Sequence, residues 1–135
     1  MKIFILEDDA KRTEWFNKKF IQNEVIVSDN VKDALAILES NDFDIFFLDH
    51  DLGGQVYVDS GEFNTGNTIS KYLSENMRKQ APVVVHSWNA EGARSMLNNL
   101  LSKKIRCVYT PFGSREFLEI VEDIIYMYND LASLD

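Results

Sequence analysis

Five short apolar runs alternate with segments in which apolar residues recur at helical spacing, and this alternation constrains the fold more than any other feature. The runs occupy residues 2–6, 24–28, 44–48, 82–85 and 105–109. Strands that alternate with helices pair in parallel, because each helix returns the chain to the same edge of the sheet through a right-handed crossover. We therefore predict an α/β fold in which five helices cover both faces of a five-stranded parallel sheet.

The length and the composition suit one domain. The chain has 135 residues, of which 45% are hydrophobic, and this is enough for one sizeable core but not for two. We predict a single three-layer domain over residues 1–135 with the flavodoxin-like strand order 2-1-3-4-5. In that order the first and third strands are neighbours, and the fourth lies beside the third. We expect the last residues, 131–135, to fray.

The charge balance restricts the partners. The 22 acidic residues outnumber the 14 lysines and arginines, which gives a net charge of −8. This charge opposes binding along an extended nucleic-acid duplex, because such binding depends on neutralising phosphates. A small anionic ligand, a nucleic-acid end or a protein surface is compatible with it.

Cysteine content and apolar segments predict a cytoplasmic protein with no membrane contact. The single cysteine, Cys107, has no partner for an intramolecular disulfide and lies within an apolar run. The first apolar run is too short for a secretory signal. No apolar stretch approaches the ~18 residues of a membrane span.

Only two histidines occur in the chain, and each follows an apolar run that we interpret as a buried strand. The carboxyl ends of neighbouring parallel strands meet at one edge, where ligands of open α/β sheets bind. We therefore expect the polar residues after the third and fourth strands to surround one crevice. These residues are His50, His86, Asp49, Asp51 and Ser87.

Strand geometry leaves the direction of both histidines open, because adjacent side chains point to opposite faces of a sheet. If Asp49 and Ser87 face the crevice, the two histidines point beneath the flanking helices. The alternative for His86 is a core histidine bonded to a backbone carbonyl. His50 lies where the strand becomes a loop, so its side chain turns more freely and we favour it for the crevice.

Acidic residues follow the first strand and are expected to meet those of the third. Converging carboxylates repel one another unless a cation lies among them, and oxygen ligands suit Mg²⁺ or another divalent cation. The candidate metal ligands are Glu7, Asp8, Asp49 and Asp51. For Asp9 we favour a capping role at the start of the following helix.

Four short motifs lie at the ends of predicted strands, and they are Leu6-Glu7-Asp8-Asp9, Phe47-Leu48-Asp49, Val85-His86-Ser87 and Thr110-Pro111-Phe112. In order and spacing these motifs resemble the receiver domains of two-component response regulators. The resemblance implies that Glu7 and Asp8 form the acidic metal-binding pair, that Asp49 is the phosphoacceptor and that Ser87 is the switch hydroxyl. Receivers carry a lysine where this chain has Thr110, and the loss of that cation weighs against ordinary phosphorelay signalling.

Three further segments contain or separate the two histidines, and they are residues 48–56, Asn64-Thr65-Gly66 and residues 86–93. These segments resemble a divergent branch of the receivers, the cyclic-phosphate-processing receiver-like domains. The resemblance implies a phosphoesterase that acts on a small anionic nucleotide or on an RNA end bearing a cyclic phosphate.

Opening a cyclic phosphodiester needs a base, an acid and groups that hold the phosphoryl oxygens. Imidazoles are the usual groups that exchange protons near neutral pH. We therefore take His50, His86 and Asp49 as candidate catalytic residues, with Ser87 and Asn89 as candidate phosphate-binding residues.

The segment from residue 52 to residue 64 is long for a strand-to-helix connection, where ~2 to 6 residues are usual. One hypothesis is a lid or substrate rim, with Tyr57 or Phe63 stacking on a base. The alternative is a hairpin that packs Val56 and Val58 on the sheet edge.

The sequence is also compatible with functions other than catalysis. A non-catalytic module that binds a protein partner or senses a nucleotide is the main alternative to an enzyme. A phosphoacceptor role for Asp49 is less favoured because of Thr110. Trp15 and Trp88 are interpreted as structural residues, and the pair Lys11 and Arg12 either attracts phosphate or lies on a solvated helix face.

Overall fold

The computed structural model describes residues 1–133 and confirms the predicted fold. All five strands pair in parallel in the order β2-β1-β3-β4-β5. The strands are β1 Lys2–Leu6, β2 Glu24–Ser28, β3 Ile45–Leu48, β4 Val83–Val85 and β5 Cys107–Tyr109. The helices are α1 Ala10–Lys19, α2 Val31–Ser40, α3 Gly66–Asn76, α4 Ala90–Leu101 and α5 Arg115–Ser133. The predicted fraying of residues 131–135 falls partly on Leu134 and Asp135, which lie outside the described residues.

Polar side chains cap the helices that leave the carboxyl edge of the sheet. The side chains of Asp9, Asn30 and Asn89 each accept hydrogen bonds from backbone N–H groups in the first turn of the following helix. Such caps satisfy donors that have no partner within the helix. The capping interpretation of Asp9 is therefore confirmed. Among the described residues, no helix combines the length and apolarity needed to cross a membrane.

Side-chain alternation along the strands divides the core into two layers. Phe4 and Leu6 of β1 pack toward α2, α3 and α4, whereas Ile3 and Ile5 pack toward α1 and α5. The same alternation holds on β3 and β4. The same alternation continues just past the strand ends. A polar residue one position beyond a strand therefore lies on one face of the sheet, and a residue two positions beyond lies on the other.

Strand register brings four polar residues into one row just past the strand ends. Leu6 pairs with Leu48, and Leu48 pairs with Val85, so the next residues along the three strands lie side by side. Backbone hydrogen bonds continue this ladder across the sheet, from Asp49 to β1, from His86 to β3 and from Thr110 to β4. We call Glu7, Asp49, His86 and Thr110 the strand-end row.

The connection from β3 to α3 forms a loop rather than the alternative hairpin. No strand forms between residues 52 and 64, and Val56 is 76% exposed instead of packed on the sheet edge. Gly53, Gly54 and Tyr57 have positive φ angles, which interrupt the extended backbone that a hairpin strand requires. An isolated antiparallel bridge between Asp51 and Thr65 closes the base of the loop.

Candidate active site

A cleft of about 360 Å³ lies at the carboxyl edge of the sheet, where the predicted crevice was expected. Five carboxylates contribute to it, and Arg12, Ser87 and Trp88 add a cation, a hydroxyl and an aromatic ring. The loop after β3 forms part of the rim through Gly54, Gln55 and Val56. Four of the carboxylates belong to the predicted metal-binding residues Glu7, Asp8, Asp49 and Asp51, and the fifth belongs to the helix cap Asp9.

Two carboxylates and one imidazole meet within the strand-end row. One ligand atom from each of Glu7, Asp49 and His86 lies within 4.8 Å of the other two, and all three residues are buried. His86 Nε2 lies 2.9 Å from Glu7 Oε1. Because an ionised carboxylate only accepts, the imidazole is the donor in this hydrogen bond. The other oxygen of Glu7 accepts from the backbone N–H groups of Asp8 and Asp9 at 3.1 and 3.2 Å.

The two buried carboxylates of the row differ in charge preference. Burial raises the pKa of Asp49 to about 6, and the negative charge of Glu7 adds to this effect against the opposing influence of His86. Burial also pushes the pKa of Glu7 upward, but the hydrogen bond from His86, the charge of a protonated His86, the Asp9 N–H and Arg12 together outweigh burial and lower that pKa. Asp49 is therefore the carboxylate that gains most from a cation or a proton.

The imidazole of His86 is enclosed by aromatic rings beneath α1 and α5. Its ring centre lies 5.3 Å from that of Phe16, 6.2 Å from Phe112 and 6.3 Å from Phe117. His86 is thus a core histidine, which agrees with the alternative interpretation of the sequence. Its hydrogen-bond partner, however, is the carboxylate of Glu7 and not a backbone carbonyl. Within the described part of the chain, Nδ1 of His86 has no hydrogen-bond partner, and neither does the buried Oγ1 of Thr110.

His50 lies on the opposite face of the sheet from His86. Its Nδ1 is 2.7 Å from Asp51 Oδ1 and its Nε2 is 2.9 Å from Ser60 Oγ. The ring is fully buried beneath α4, where a Cβ atom on Gly92 would stand 2.4 Å from its Cγ. The two histidines therefore do not share the cleft, and His50 ties the loop to the sheet.

Asp51 is occupied by donors from the loop. Its carboxylate accepts from the backbone N–H groups of Tyr57 and Val58 at 2.6 and 3.2 Å, and from Asn89 Nδ2 at 3.0 Å, in addition to His50. Burial raises the pKa of Asp51, but these hydrogen bonds outweigh burial and the net pKa is lowered. The left-handed backbone of Tyr57, with φ of 53°, is held in place by this carboxylate.

Asp8 keeps more freedom than Asp51. One carboxylate oxygen accepts from the backbone N–H of Gly54 at 2.7 Å, which links the loop to the end of β1. Burial raises the pKa of Asp8, and the charge of Glu7 adds to this while the Gly54 N–H opposes it. Asp8 faces the cleft together with Arg12, whose guanidinium lies 3.8 Å from Glu7 and 5.0 Å from the Phe112 ring.

The two predicted phosphate-binding residues occupy different places. Ser87 lines the cleft, and its Oγ accepts from the backbone N–H of Asn89 at 3.0 Å, which leaves the hydroxyl proton free to donate. Asn89 caps α4 through its Oδ1 and donates its amide protons to Asp51 and to the carbonyl of Val58. Asn89 therefore lines a neighbouring hollow and serves the loop.

Trp88 is the site residue that sequence reasoning missed. We interpreted Trp88 as a structural residue, but it is 56% exposed and lines the cleft. The indole N–H donates to the carbonyl of Phe112 at 2.9 Å, so the ring is held in a fixed orientation at the cleft wall. Its position directly after Ser87, between a strand end and a helix cap, was the available signal.

Solved structures place the fold among response-regulator receiver domains. The chain is similar to a CheY-like receiver domain from Methylobacillus flagellatus, with a TM-score of 0.63, 16% identity, and coverage of 90% of this chain and 98% of that one. A two-component response regulator from Clostridium difficile has a TM-score of 0.67 and 19% identity, and the match covers 93% of this chain and 92% of that one. The response regulator TrrA from Thermotoga maritima, solved in complex with Mg²⁺ and BeF, has a TM-score of 0.63 and 18% identity, and the match covers 90% of this chain and 96% of that one.

The sequence identifies one family among the proteins with this receiver fold. The model of the cyclic-phosphate processing receiver domain family matches residues 1–102, which include both histidines and the acidic residues of the cleft. The chain belongs to this family, so the predicted resemblance is confirmed. A search among curated proteins gave no significant match.

Proposed function

We propose that the protein is a phosphoesterase that opens cyclic phosphates carried by nucleotides or by RNA ends. The main observation behind this proposal is the strand-end row, in which two carboxylates and an imidazole converge within 4.8 Å beside an open cleft. Membership of the cyclic-phosphate processing receiver family supports the substrate class. A positively charged and a hydroxyl side chain, Arg12 and Ser87, line the same cleft and suit a phosphate.

The donor set fits a divalent cation. Glu7 and Asp49 place buried carboxylate oxygens close together, and burial beside another negative charge raises the pKa of Asp49. TrrA, which shares the fold, was solved in complex with Mg²⁺. A bound divalent ion supplies neutralisation of charge on phosphoryl oxygens. Asp51 is left out of this set because its carboxylate is occupied by the loop.

The chain's own residues divide the remaining work. Water attacks the phosphorus, its proton passes to Asp8, and the bond to one ribose oxygen breaks to leave a phosphomonoester. Asp8 suits this role because it faces the cleft and only one of its oxygens is held. Ser87 and Arg12 donate hydrogen bonds to the phosphoryl oxygens, and the departing oxygen takes a proton from water in the open cleft.

Aromatic side chains next to the cleft support a nucleotide rather than a simpler phosphate ester. Trp88 forms part of the wall between the cleft and a second hollow of about 800 Å³, which Tyr57 also lines. Both residues are exposed, at 56% and 78%. Stacking on an aromatic ring contributes ~1–3 kcal/mol per base. We assign the loop after β3 to the substrate rim, because Gly54, Gln55 and Val56 line the cleft.

Turnover of defined cyclic phosphates tests the proposal. Purified protein is incubated with 2′,3′-cyclic nucleotides, 3′,5′-cyclic nucleotides and cyclic-phosphate-ended oligonucleotides, in the presence of Mg²⁺, Mn²⁺ or Zn²⁺, and products are followed by ³¹P NMR. We expect at least one substrate to be opened, with kcat lowered ~100-fold or more in Asp49→Asn. Asp42→Asn is the matched control, since Asp42 pairs with Arg78 away from the cleft.

The substrate side of the proposal has its own readout. Trp88→Ala is expected to raise KM for a nucleotide ~5- to 100-fold with little change in kcat, and Trp88→Phe to keep most of the affinity. Absence of turnover across the whole panel would contradict the enzymatic proposal. Nucleotide binding without turnover would instead identify a nucleotide-sensing module.

A further inference from the structure

We infer that His86 is itself a metal ligand, so that the ion is held by one imidazole nitrogen and the carboxylates of Glu7 and Asp49. With this mixed set the site prefers a borderline transition-metal ion, such as Zn²⁺, Co²⁺ or Ni²⁺, to Mg²⁺. The inference rests on the proposed function only for taking the acidic cleft as the working site.

The geometry of the strand-end row supports a three-residue site. Ligand atoms of Glu7, Asp49 and His86 lie within 4.8 Å of one another. Two ligands bound to one ion at ~2.0–2.3 Å stand at most ~4.6 Å apart, so small side-chain movements bring the three atoms around one ion. The three residues occupy one row of neighbouring strands, and the sheet fixes their backbone positions.

The donor chemistry determines which ion is preferred. Imidazole suits zinc, iron, nickel and copper, whereas Mg²⁺ prefers oxygen ligands and keeps several of its waters. His86 is fully buried and enclosed by Phe16, Phe112 and Phe117, so it has little room to swing away from the carboxylates. Its Nε2 already points at Glu7 Oε1, where an ion can replace the shared proton.

Two buried polar atoms without partners in the described part of the chain, Nδ1 of His86 and Oγ1 of Thr110, provide a place for the proton that the ion displaces from Nε2. When Nε2 binds an ion, the proton of the neutral imidazole moves to Nδ1, which then needs an acceptor. Nδ1 of His86 and Oγ1 of Thr110 are the two buried side-chain nitrogen or oxygen atoms without a hydrogen-bond partner among the described residues. They belong to adjacent positions of the strand-end row. Thr110, directly or through a water, thus becomes the outer acceptor that orients the metal-bound imidazole.

Two charged neighbours bear on this site. Arg12 lies 3.8 Å from Glu7 Oε1 and opposes a cation there, but its side chain is 30% exposed and free to turn toward a phosphate. Asp8 faces the cleft, and together with Asp49 it offers the competing site, an oxygen-only set without His86. The two arrangements share Asp49, whereas Glu7 and His86 belong to the first and Asp8 to the second.

The presence of only two histidines allows a direct test on the wild-type protein. Protein with ¹⁵N-labelled histidine is titrated with Zn²⁺ and followed by long-range ¹H–¹⁵N correlation spectra. We expect the His86 Nε2 resonance to shift and its proton to move to Nδ1, while His50 keeps its spectrum as the internal control. Saturation by Zn²⁺ with no change at His86 would overturn the inference.

Calorimetric titration of variants separates the two possible ligand sets. We expect His86→Gln to lower Zn²⁺ affinity at least ~10-fold, the usual minimum for losing even an outer partner, while Mg²⁺ affinity changes less. Asp8→Asn is the matched control and is expected to keep Zn²⁺ affinity within a few-fold. The reverse pattern would overturn the inference. Neither experiment uses turnover, so an inactive protein that binds Zn²⁺ through His86 contradicts only the phosphoesterase proposal.

Discussion

The two histidines follow similar strands, yet they serve different parts of the molecule. His86 is one residue beyond β4 and lies in the strand-end row, on the α1 and α5 side of the sheet. His50 is two residues beyond β3 and lies on the other side, beneath α4. A single residue of offset therefore separates a group of the acidic site from an anchor of the loop, because strand side chains alternate between faces.

The carboxylates beside these histidines show the same contrast. Among the described residues, Asp49 accepts one hydrogen bond, from the His50 backbone N–H at 2.8 Å, and burial raises its pKa. Asp51 accepts from four donors and has a lowered pKa. Saturated groups stabilise the fold, whereas undersatisfied buried groups cost stability and are available to a ligand.

The largest expected effect concerns the contact between His50 and α4. Gly92→Ala is expected to destabilise the protein by about 3 kcal/mol, because the new Cβ would stand 2.4 Å from His50 Cγ. Helix propensity alone predicts that alanine would increase the free energy of unfolding by ~1 kcal/mol, so the sign of the measured change distinguishes the two effects. Chemical denaturation measures it, with Glu91→Ala in the same helical turn as the control. A smaller cost of Gly92→Ala in a His50→Ala background would confirm the contact.

Asp49→Asn is expected to stabilise the metal-free protein by about 1–3 kcal/mol at pH 8. The folded-state pKa of Asp49 is raised from 3.8 to about 6, so the native state binds more protons between these values and stability falls as the pH rises through them. The advantage of Asn therefore disappears below about pH 4. Denaturation curves with EDTA across this range check the prediction, and equal stability of both proteins at pH 8 would contradict it.

Asp51→Asn is expected to have the opposite sign, a loss of about 1–2 kcal/mol at neutral pH. The pKa of Asp51 is lowered on folding, so its contribution is present above the unfolded pKa and is lost as the pH falls through the folded one. Hydrogen exchange gives a local readout, since the amides of Tyr57 and Val58 lose their acceptor. Unchanged exchange at these amides would show that the carboxylate does not hold the loop.

The smallest effect is expected at Thr110, the last member of the strand-end row. Thr110→Val replaces a buried hydroxyl that has no partner among the described residues, so the metal-free protein is expected to keep its stability or gain up to about 1 kcal/mol. Thermal denaturation with and without Zn²⁺ measures this. A loss above 1 kcal/mol without metal would reveal a partner of the hydroxyl already present in the metal-free fold.

Pattern and spacing predicted the strand order, two of the strands to the residue, and the meeting of Glu7 with Asp49. These features follow from local periodicity and from the few topologies open to alternating strands and helices. The roles of the histidines were harder to predict. We favoured His50 for the crevice because it borders a loop, but Ser60 and Gly92, distant in sequence, fix it beneath α4.

The exposure of Trp88 was the other feature that the sequence did not predict. A tryptophan after a buried strand is most often part of the core. Trp88 lies outside it because its indole N–H meets the carbonyl of Phe112, a contact that depends on how β5 and the start of α5 are placed. Interpretation from sequence is weakest where a residue's environment is supplied by such remote segments.

The closed base of the loop after β3 has an evolutionary consequence. The Asp51–Thr65 bridge and the bond from the Gly66 N–H to the His50 carbonyl hold both ends of the segment together before it leaves the sheet. Lengthening a loop whose ends are already fixed costs little entropy. Insertions between these fixed ends are therefore expected to be tolerated at little cost to the fold, provided that Tyr57, Val58 and Ser60 keep their contacts with Asp51 and His50.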